Sequence, residues 1–318
     1  MIAPEQGPYV SPPKPQQRVS WRQALWITLA AVAFYVVVRR LPTGTNLSHM
    51  DFRAGGSSVE FCDPANPQFM PVTTVRSPVE MILTGGEVLA SRPAQLMLTM
   101  KTVTGKPVGP ADLLVVHTQK LHLLVVDPTL TDYQHQHPAP GQKSGEWVVE
   151  FTPKRAGLYR VFADFTPAAT ARGLYASADI VVKESSGVSV AAETPAVVAA
   201  DGSILREGFR FKLQPRESPM RVGKVLDLTF SVTRDDGATV PLQPIMGAFA
   251  HLVAFDEARG GFAQLHPNEI DLARKPDALR PTLTFKVTIP KAGRYIVWAQ
   301  VNLGGREMAV PFWFEVLL

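Results

Sequence analysis

Six of the seven histidines in the chain fall in two segments that resemble each other. The first reads Lys120-Leu-His122-Leu-Leu-Val-Val-Asp127 and is followed by His137-Pro138. The second reads Phe249-Ala-His251-Leu-Val-Ala-Phe-Asp256 and is followed by His266-Pro267. In both, the first histidine stands 15 positions before the His-Pro pair and five before an aspartate. Five residues upstream of the first histidine stands His117 in one segment and Met246 in the other. Imidazole and thioether are soft to borderline ligands, and together they favour copper, Cu(I) above all.

Read as β-hairpins, the segments bring these residues together. Placing His251 opposite His266 sets Val253 against Gln264 and Phe255 against Phe262, with Asp256–Gly261 as the loop. The same register sets His122 against His137, Leu124 against His135 and Val126 against Tyr133, with loop Asp127–Asp132. Side chains alternate along a strand, so each set shares one face, with directly paired Cβ atoms about 4.5–5.5 Å apart. Two imidazoles at that separation are able to share one ion. The candidate metal ligands are therefore His117, His122, His135 and His137 in one segment and Met246, His251 and His266 in the other. Two other readings stay open: structural histidines at a sandwich rim, inherited by duplication, and a surface that recognises another protein. No cysteine or carboxylate is set beside the pairs at zinc-site spacing.

The elements that position these residues are also repeated. Pro153-Lys-Arg-Ala-Gly157-Leu-Tyr159 matches Pro290-Lys-Ala-Gly293-Arg-Tyr295, and Thr104-Gly-Lys-Pro-Val108 resembles Asp236-Gly-Ala-Thr-Val240. Three landmarks in one order indicate tandem duplication. Alternating runs such as Gln95–Met100, Leu121–Val126, Trp147–Phe151, Tyr159–Phe165, Asp227–Val232, Leu283–Thr288 and Tyr295–Val301 predict an all-β chain. With 28 prolines against 23 glycines, a mostly helical body is excluded. The expected architecture is two immunoglobulin-like β-sandwiches, residues 77–184 and 200–318, joined by a linker at 185–199. An irregular segment, 42–76, is expected to drape over the first module. The tyrosines of the Pro-x-Ala-Gly-x-Tyr turns, and Met97 and Met100, are expected in the core. Asp235-Asp236-Gly237 reads as a hairpin turn.

The sequence pI of 9.2 suggests nucleic acid until the charge is located. Residues 1–40 carry a net +4, leaving 27 basic and 27 acidic side chains in residues 41–318. Those basic residues are scattered, so the footprint of a nucleic-acid binder is absent. Residues 1–20 read as a disordered cytoplasmic tail. Ala24 to Val38 is free of charge and lies between Arg22 and Arg39-Arg40. Residues 21–41 are thus expected to be a single uncleaved transmembrane helix, with both sandwiches extracytoplasmic (periplasmic). The lone cysteine, Cys62, excludes a disulfide framework and any multi-cysteine metal site. It is a weak candidate ligand, as is the His49-Met50 pair.

The first module's His122-Leu-Leu-Val-Val-Asp, Tyr133-Gln-His-Gln-His137-Pro and Gly157-Leu-Tyr-Arg-Val-Phe-Ala-Asp-Phe resemble bacterial membrane-anchored proteins with YtkA-like, immunoglobulin-like modules. The second module's Met246-Gly-Ala-x-x-His251-Leu-Val-Ala and Leu265-His266-Pro267 are similar to the partner module found in such proteins. The resemblance spans about residues 75–318. It implies an association with heavy-metal or copper handling, and by position it points to His122, His137, Met246, His251 and His266. The chain lacks the Met-rich His-x-Met ending of periplasmic copper chaperones. No nucleophile elbow, phosphate-cradling loop or telling pair of carboxylates is present. The expectation is a non-enzymatic, membrane-anchored metal-binding protein, copper first. The alternative is a non-catalytic interaction or scaffold module that docks another envelope protein.

Overall fold

A computed structural model describes residues 20–40, 47–52, 67–185 and 197–318. The tail, Cys62 and most of the linker lie outside the described residues. Trp21–Arg40 forms one α-helix, α1. Among the described residues, no helix is long and apolar enough to cross a membrane. α1 coincides with the segment from which a single-pass span is expected.

The remaining chain is β. The first module holds β1 (Val79–Gly85), β2 (Val88–Leu89), β3 (Ala94–Thr102), β4 (Leu121–Val126), β5 (Tyr133–Gln136), β6 (Ala139–Pro140), β7 (Glu146–Phe151), β8 (Gly157–Phe165) and β9 (Leu174–Lys183). They form sheets ordered β1-β3-β7-β6 and β2-β9-β8-β4-β5. The second module holds β10 (Val197–Val198), β11 (Ile204–Arg206), β12 (Phe209–Pro215), β13 (Met220–Arg221), β14 (Val225–Arg234), β15 (Leu242–Gln243), β16 (His251–Asp256), β17 (Phe262–Leu265), β18 (Thr282–Thr288), β19 (Gly293–Leu303) and β20 (Arg306–Leu317). Its sheets run β10-β11-β12-β14-β18 and β13-β20-β19-β16-β17, with β15 added beside β19. The repeat is topological down to a short parallel strand, β2 on β9 and β13 on β20. Each sandwich closes over its own core, around Leu98, Trp147, Phe151 and Tyr159 in one and Phe211, Phe230, Phe285 and Phe312 in the other.

The repeated motifs now have physical roles. Gly157 and Gly293 have φ of 143° and 147°, a region open almost only to glycine. That turn lets the chain enter β8 and β19 and buries Tyr159 and Tyr295. The Tyr295 hydroxyl donates back to the Lys291 carbonyl at 2.9 Å, a tyrosine corner. In the first module the Tyr159 hydroxyl donates to Asp132 at 2.7 Å instead.

The repeated aspartates cap the hairpin loops. Asp127 accepts from the amides of Thr129, Thr131 and Asp132. Asp256 accepts from those of Gly260 and Gly261. Asp127 is buried, so Asp127→Ala strands several amides at once. It is expected to cost about 1.5–3 kcal/mol, read as a lowered urea midpoint at unchanged m-value.

Both histidine hairpins keep the expected register. Leu124 pairs with His135 and Val126 with Tyr133; Val253 pairs with Gln264 and Phe255 with Phe262. In β4, Leu121, Leu123 and Val125 point into the first core, while Leu124 and Val126 point outward. In β16 the outward residues are Val253 and Phe255. These outer faces pack on each other. Leu124, Val126, Leu130, Tyr133 and Phe162 meet Val253, Phe255, Phe262, Ile296 and Trp298 in a third buried cluster. Two arginines tie its margin: Arg160 donates to the Arg259 carbonyl at 2.9 Å and Arg259 to the Leu158 carbonyl at 2.6 Å.

The segment before the first module divides between the two sandwiches. Leu47 and Phe52 join the first core, and Lys106 pairs with Asp51 at 2.6 Å. Residues 67–73 cross to the second module, correcting the expectation that they drape over the first. There Phe69 packs edge-on against Tyr295, and Met70 exchanges backbone hydrogen bonds with Phe262. Gly261 permits this approach, since a Cβ there would lie 1.9 Å from the Met70 carbonyl oxygen.

Candidate metal centre

Each module sets its first histidine against a tight turn. Val116-His117-Thr118-Gln119 and Ile245-Met246-Gly247-Ala248 are two-residue turns closed by reciprocal backbone bonds of 2.7–3.0 Å. Both central residues have positive φ, as type I′ turns require. The turn carbonyl then receives the imidazole: Nε2 of His122 lies 2.9 Å from the Val116 oxygen and Nε2 of His251 lies 3.0 Å from that of Ile245. A carbonyl only accepts, so both Nε2 atoms carry the proton and both Nδ1 atoms are left with a lone pair. Two modules thus fix the same tautomer by the same device.

In the first module that lone pair faces two more imidazoles. Nδ1 of His122 is 3.1 Å from Nε2 of His135 and 3.2 Å from Nε2 of His137. Nitrogens of the three lie within 4.8 Å of one another. Nδ1 of His135 stands 3.2 Å from Oε1 of Gln300, in the second module. The Gln300 amide donates in turn to Glu307 at 3.3 Å, which leaves Oε1 to accept from His135. Nδ1 of His135 therefore carries its proton, and its Nε2 lone pair points at the His122 lone pair. Two such lone pairs at 3.1 Å repel unless a cation lies between them. Nitrogens bound tetrahedrally at ~2.0–2.1 Å to one ion stand about 3.3 Å apart. The two closest separations approach that value.

His251 and His266 form the corresponding pair in the second module, with ring centroids 4.7 Å apart at 90°. Because the two outer faces pack together, the two sets are neighbours. His117 leaves its own module's triad and stacks on His266 at 3.7 Å and 19°; its ring lies 6.3 Å from His122. All six histidines of the repeat thus form one cluster at the joint. His122 and His251 are buried, His135 and His266 half-buried, His117 and His137 exposed. Met246 occupies the turn position equivalent to His117 and is half-buried. His49 lies apart in a 3-10 helix, His49–Phe52.

Sequence reasoning missed Gln300 and Asp164. They hold equivalent positions, paired across the sheet with His251 and His122 respectively, and the repeat register could have found them. Burial pushes the Asp164 carboxyl up to about 7.

Burial also holds the imidazoles neutral, and neighbouring imidazoles add to it at most of them. His117, His137 and His251 fall to about 4 and His266 to about 2, with His122 and His135 lowered as well. An unfolded histidine titrates near 6.5. Between that value and about 4 the unfolded chain binds more protons than the folded one. The stability due to these groups is complete above pH 6.5 and declines as pH falls through the window. In metal-free protein, the urea midpoint is expected to be level from pH 8 to 7 and to fall steadily from 6.5 to 4.

Two immunoglobulin-like sandwiches joined face to face, with an imidazole cluster at their joint, define the class: a tandem β-sandwich protein with a histidine-rich joint. Within that class the chain belongs to the family described as domain of unknown function DUF8832, whose profile matches twice, at residues 73–181 and 204–317. The matching family is this one, and nothing specific to YtkA-like modules accompanies it. No curated protein matches the chain. Among solved structures, the fibronectin(III)-like modules of Clostridium thermocellum CbhA are 10% identical, covering 75% of this chain and 92% of theirs at a TM-score of 0.19. The Escherichia coli adhesin FdeC is 14% identical, covering 75% of this chain and 64% of its own at 0.21. Overlaps this loose carry no argument, and the fold rests on the sheets themselves.

Proposed function

We propose that the chain is a non-enzymatic metal-binding protein whose first centre is His122, His135 and His137, with copper as the preferred ion. The observation that carries this reading is the pair of tautomer-locked lone pairs aimed at each other from His122 and His135. A carbonyl and an amide behind metal-ligating imidazoles are the usual outer partners of such ligands. The donors are three neutral nitrogens with no carboxylate or thiolate among them. Cu(I) leaves one positive charge in such a half-buried site, whereas Zn2+ leaves two. Met246 adds a thioether to the cluster's neighbourhood by position.

The test is titration of the protein with Cu(I), Cu(II) and Zn2+, against the variant His135→Ala/His137→Ala. Copper binding that the variant loses while keeping its fold supports the reading. Equal, weak binding by both sinks it.

A second reading is favoured by the His135–Gln300 bond and the His117–His266 stack, which join the modules without any ion. On that reading the histidines are structural, and the joined modules are a scaffold that docks an envelope protein. It predicts that the same variant loses stability in metal-free buffer.

We further read α1 as a membrane tether with the sandwiches on the extracytoplasmic side. Its Trp26, Ile27, Leu29, Val32 and Phe34 are all exposed, and a short apolar run is accommodated by local thinning and snorkelling arginines. Removal of residues 1–40 is expected to release the protein from the membrane fraction; retention there overturns the tether.

A further inference from the structure

The second module holds a pair of imidazoles that the first centre does not use. His251 is fully buried, its Nε2–H is taken up by the Ile245 carbonyl, and its Nδ1 lone pair meets no donor. Nε2 of His266 is likewise buried without a partner. A buried hydrogen-bonding atom left unmet costs about 1–3 kcal/mol, so two on neighbouring rings leave a place for a shared occupant. The ring centroids stand 4.7 Å apart, against 4.8–5.3 Å among the three rings of the first centre. Two imidazoles that bind one ion at ~2.0–2.1 Å, with angles of 90–110°, place their centroids about 4.5–5.2 Å apart.

His117 does not belong to this ligand set. An ion lies in the plane of the imidazole that binds it, and a ring stacked at 3.7 Å and 19° is unable to bring its own plane to the same point. It lies flat on His266 and covers the pair from the first module. Gln264 stands where the first module has His135, and both its amide atoms are also buried without partners. The position that supplies a third nitrogen in one module is therefore a neutral amide in the other. Two imidazoles and no carboxylate are a poor set for zinc, which takes four ligands, or three with a water. They suit a soft monovalent ion, which leaves one positive charge there where Zn2+ leaves two.

We infer that His251 and His266 form a second, Cu(I)-selective centre, bound through Nδ1 of His251 and Nε2 of His266 and covered by His117 of the first module. It shares with the proposed function the premise that apposed neutral imidazoles take a soft cation, but it rests on different residues and is tested apart from it.

The test is Cu(I) titration of the full chain against a chromophoric chelator, for the wild type, His266→Ala and His135→Ala/His137→Ala. The wild type is expected to take two equivalents and each variant one. Zinc is expected to compete at the first centre only. A wild type that takes one equivalent, with none in His135→Ala/His137→Ala, overturns the second centre and leaves the first standing. One equivalent retained by that variant and lost in His266→Ala supports the second centre, whatever the fate of the first. Should His266→Ala fail to fold, the histidine ring nitrogens of wild-type protein are followed by 15N NMR during the titration. Shifts at His251 Nδ1 and His266 Nε2 support the proposal. Shifts confined to the first centre, or at no imidazole, overturn it.

Discussion

Gln300→Leu is expected to weaken copper binding at the first centre by about 10–100-fold, the usual effect of removing an outer partner of a metal-bound imidazole. Gln300 ligates nothing. It lies in β19 of the second module, 165 residues from His135, and its Oε1 accepts the His135 Nδ1 proton at 3.2 Å. Without that acceptor the proton is free to sit on either nitrogen, and the neutral tautomer with a lone pair at Nε2 loses its advantage. Leucine keeps much of the volume, so packing is largely spared. The swap Gln300→Glu with Glu307→Gln gives the His135 Nδ1 proton a carboxylate acceptor, and gives that carboxylate an amide donor from position 307. Affinity is expected to return. A competition titration reads both variants. Unchanged affinity in Gln300→Leu would show that His135 is not oriented from the other module.

Phe162→Ala is expected to cost about 3–5 kcal/mol, the range for truncating a fully buried phenylalanine. The ring is 0% exposed and lies outside both sandwich cores. It packs against Phe255 at 5.9 Å and Phe262 at 5.4 Å, both from the second module. The cavity therefore opens in the joint, and each sandwich keeps its own core. Calorimetry is expected to show a single transition for the wild type and two for the variant, because the coupling between modules is what the ring supplies. A loss below about 1 kcal/mol, with one transition retained, would mean the joint is not packed as a core.

The two outcomes bear on how far local pattern reaches. The hairpin registers were legible because period-two alternation, bounded by loops of known length, permits few pairings that keep the apolar positions inside. The repeated Asp127 and Asp256 marked loops that need an acceptor for their amides. The Pro-x-Ala-Gly-x-Tyr turns marked a position that only glycine fills, followed by a core tyrosine. The apolar run before Arg39 announced a helix, and α1 forms there. One signal was present and went unread. All six residues of β4 are buried, and Leu121-His-Leu-Leu-Val-Val126 is apolar on both faces. Such a strand needs a layer on each side, and one sandwich provides only one.

The sequence by itself determined the sandwiches, their duplication, and which imidazoles share a hairpin face. These follow from contacts between residues close in the chain, where side-chain alternation and turn chemistry leave little freedom. Tertiary structure alone decided that the two faces meet, that His117 crosses to His266, and that Gln300 orients His135. Those contacts join positions more than a hundred residues apart, and they form because both outer faces are apolar enough to be buried together. No local pattern specifies which residues then stand opposite each other. That is set by the shape and angle of two twisted sheets brought into contact.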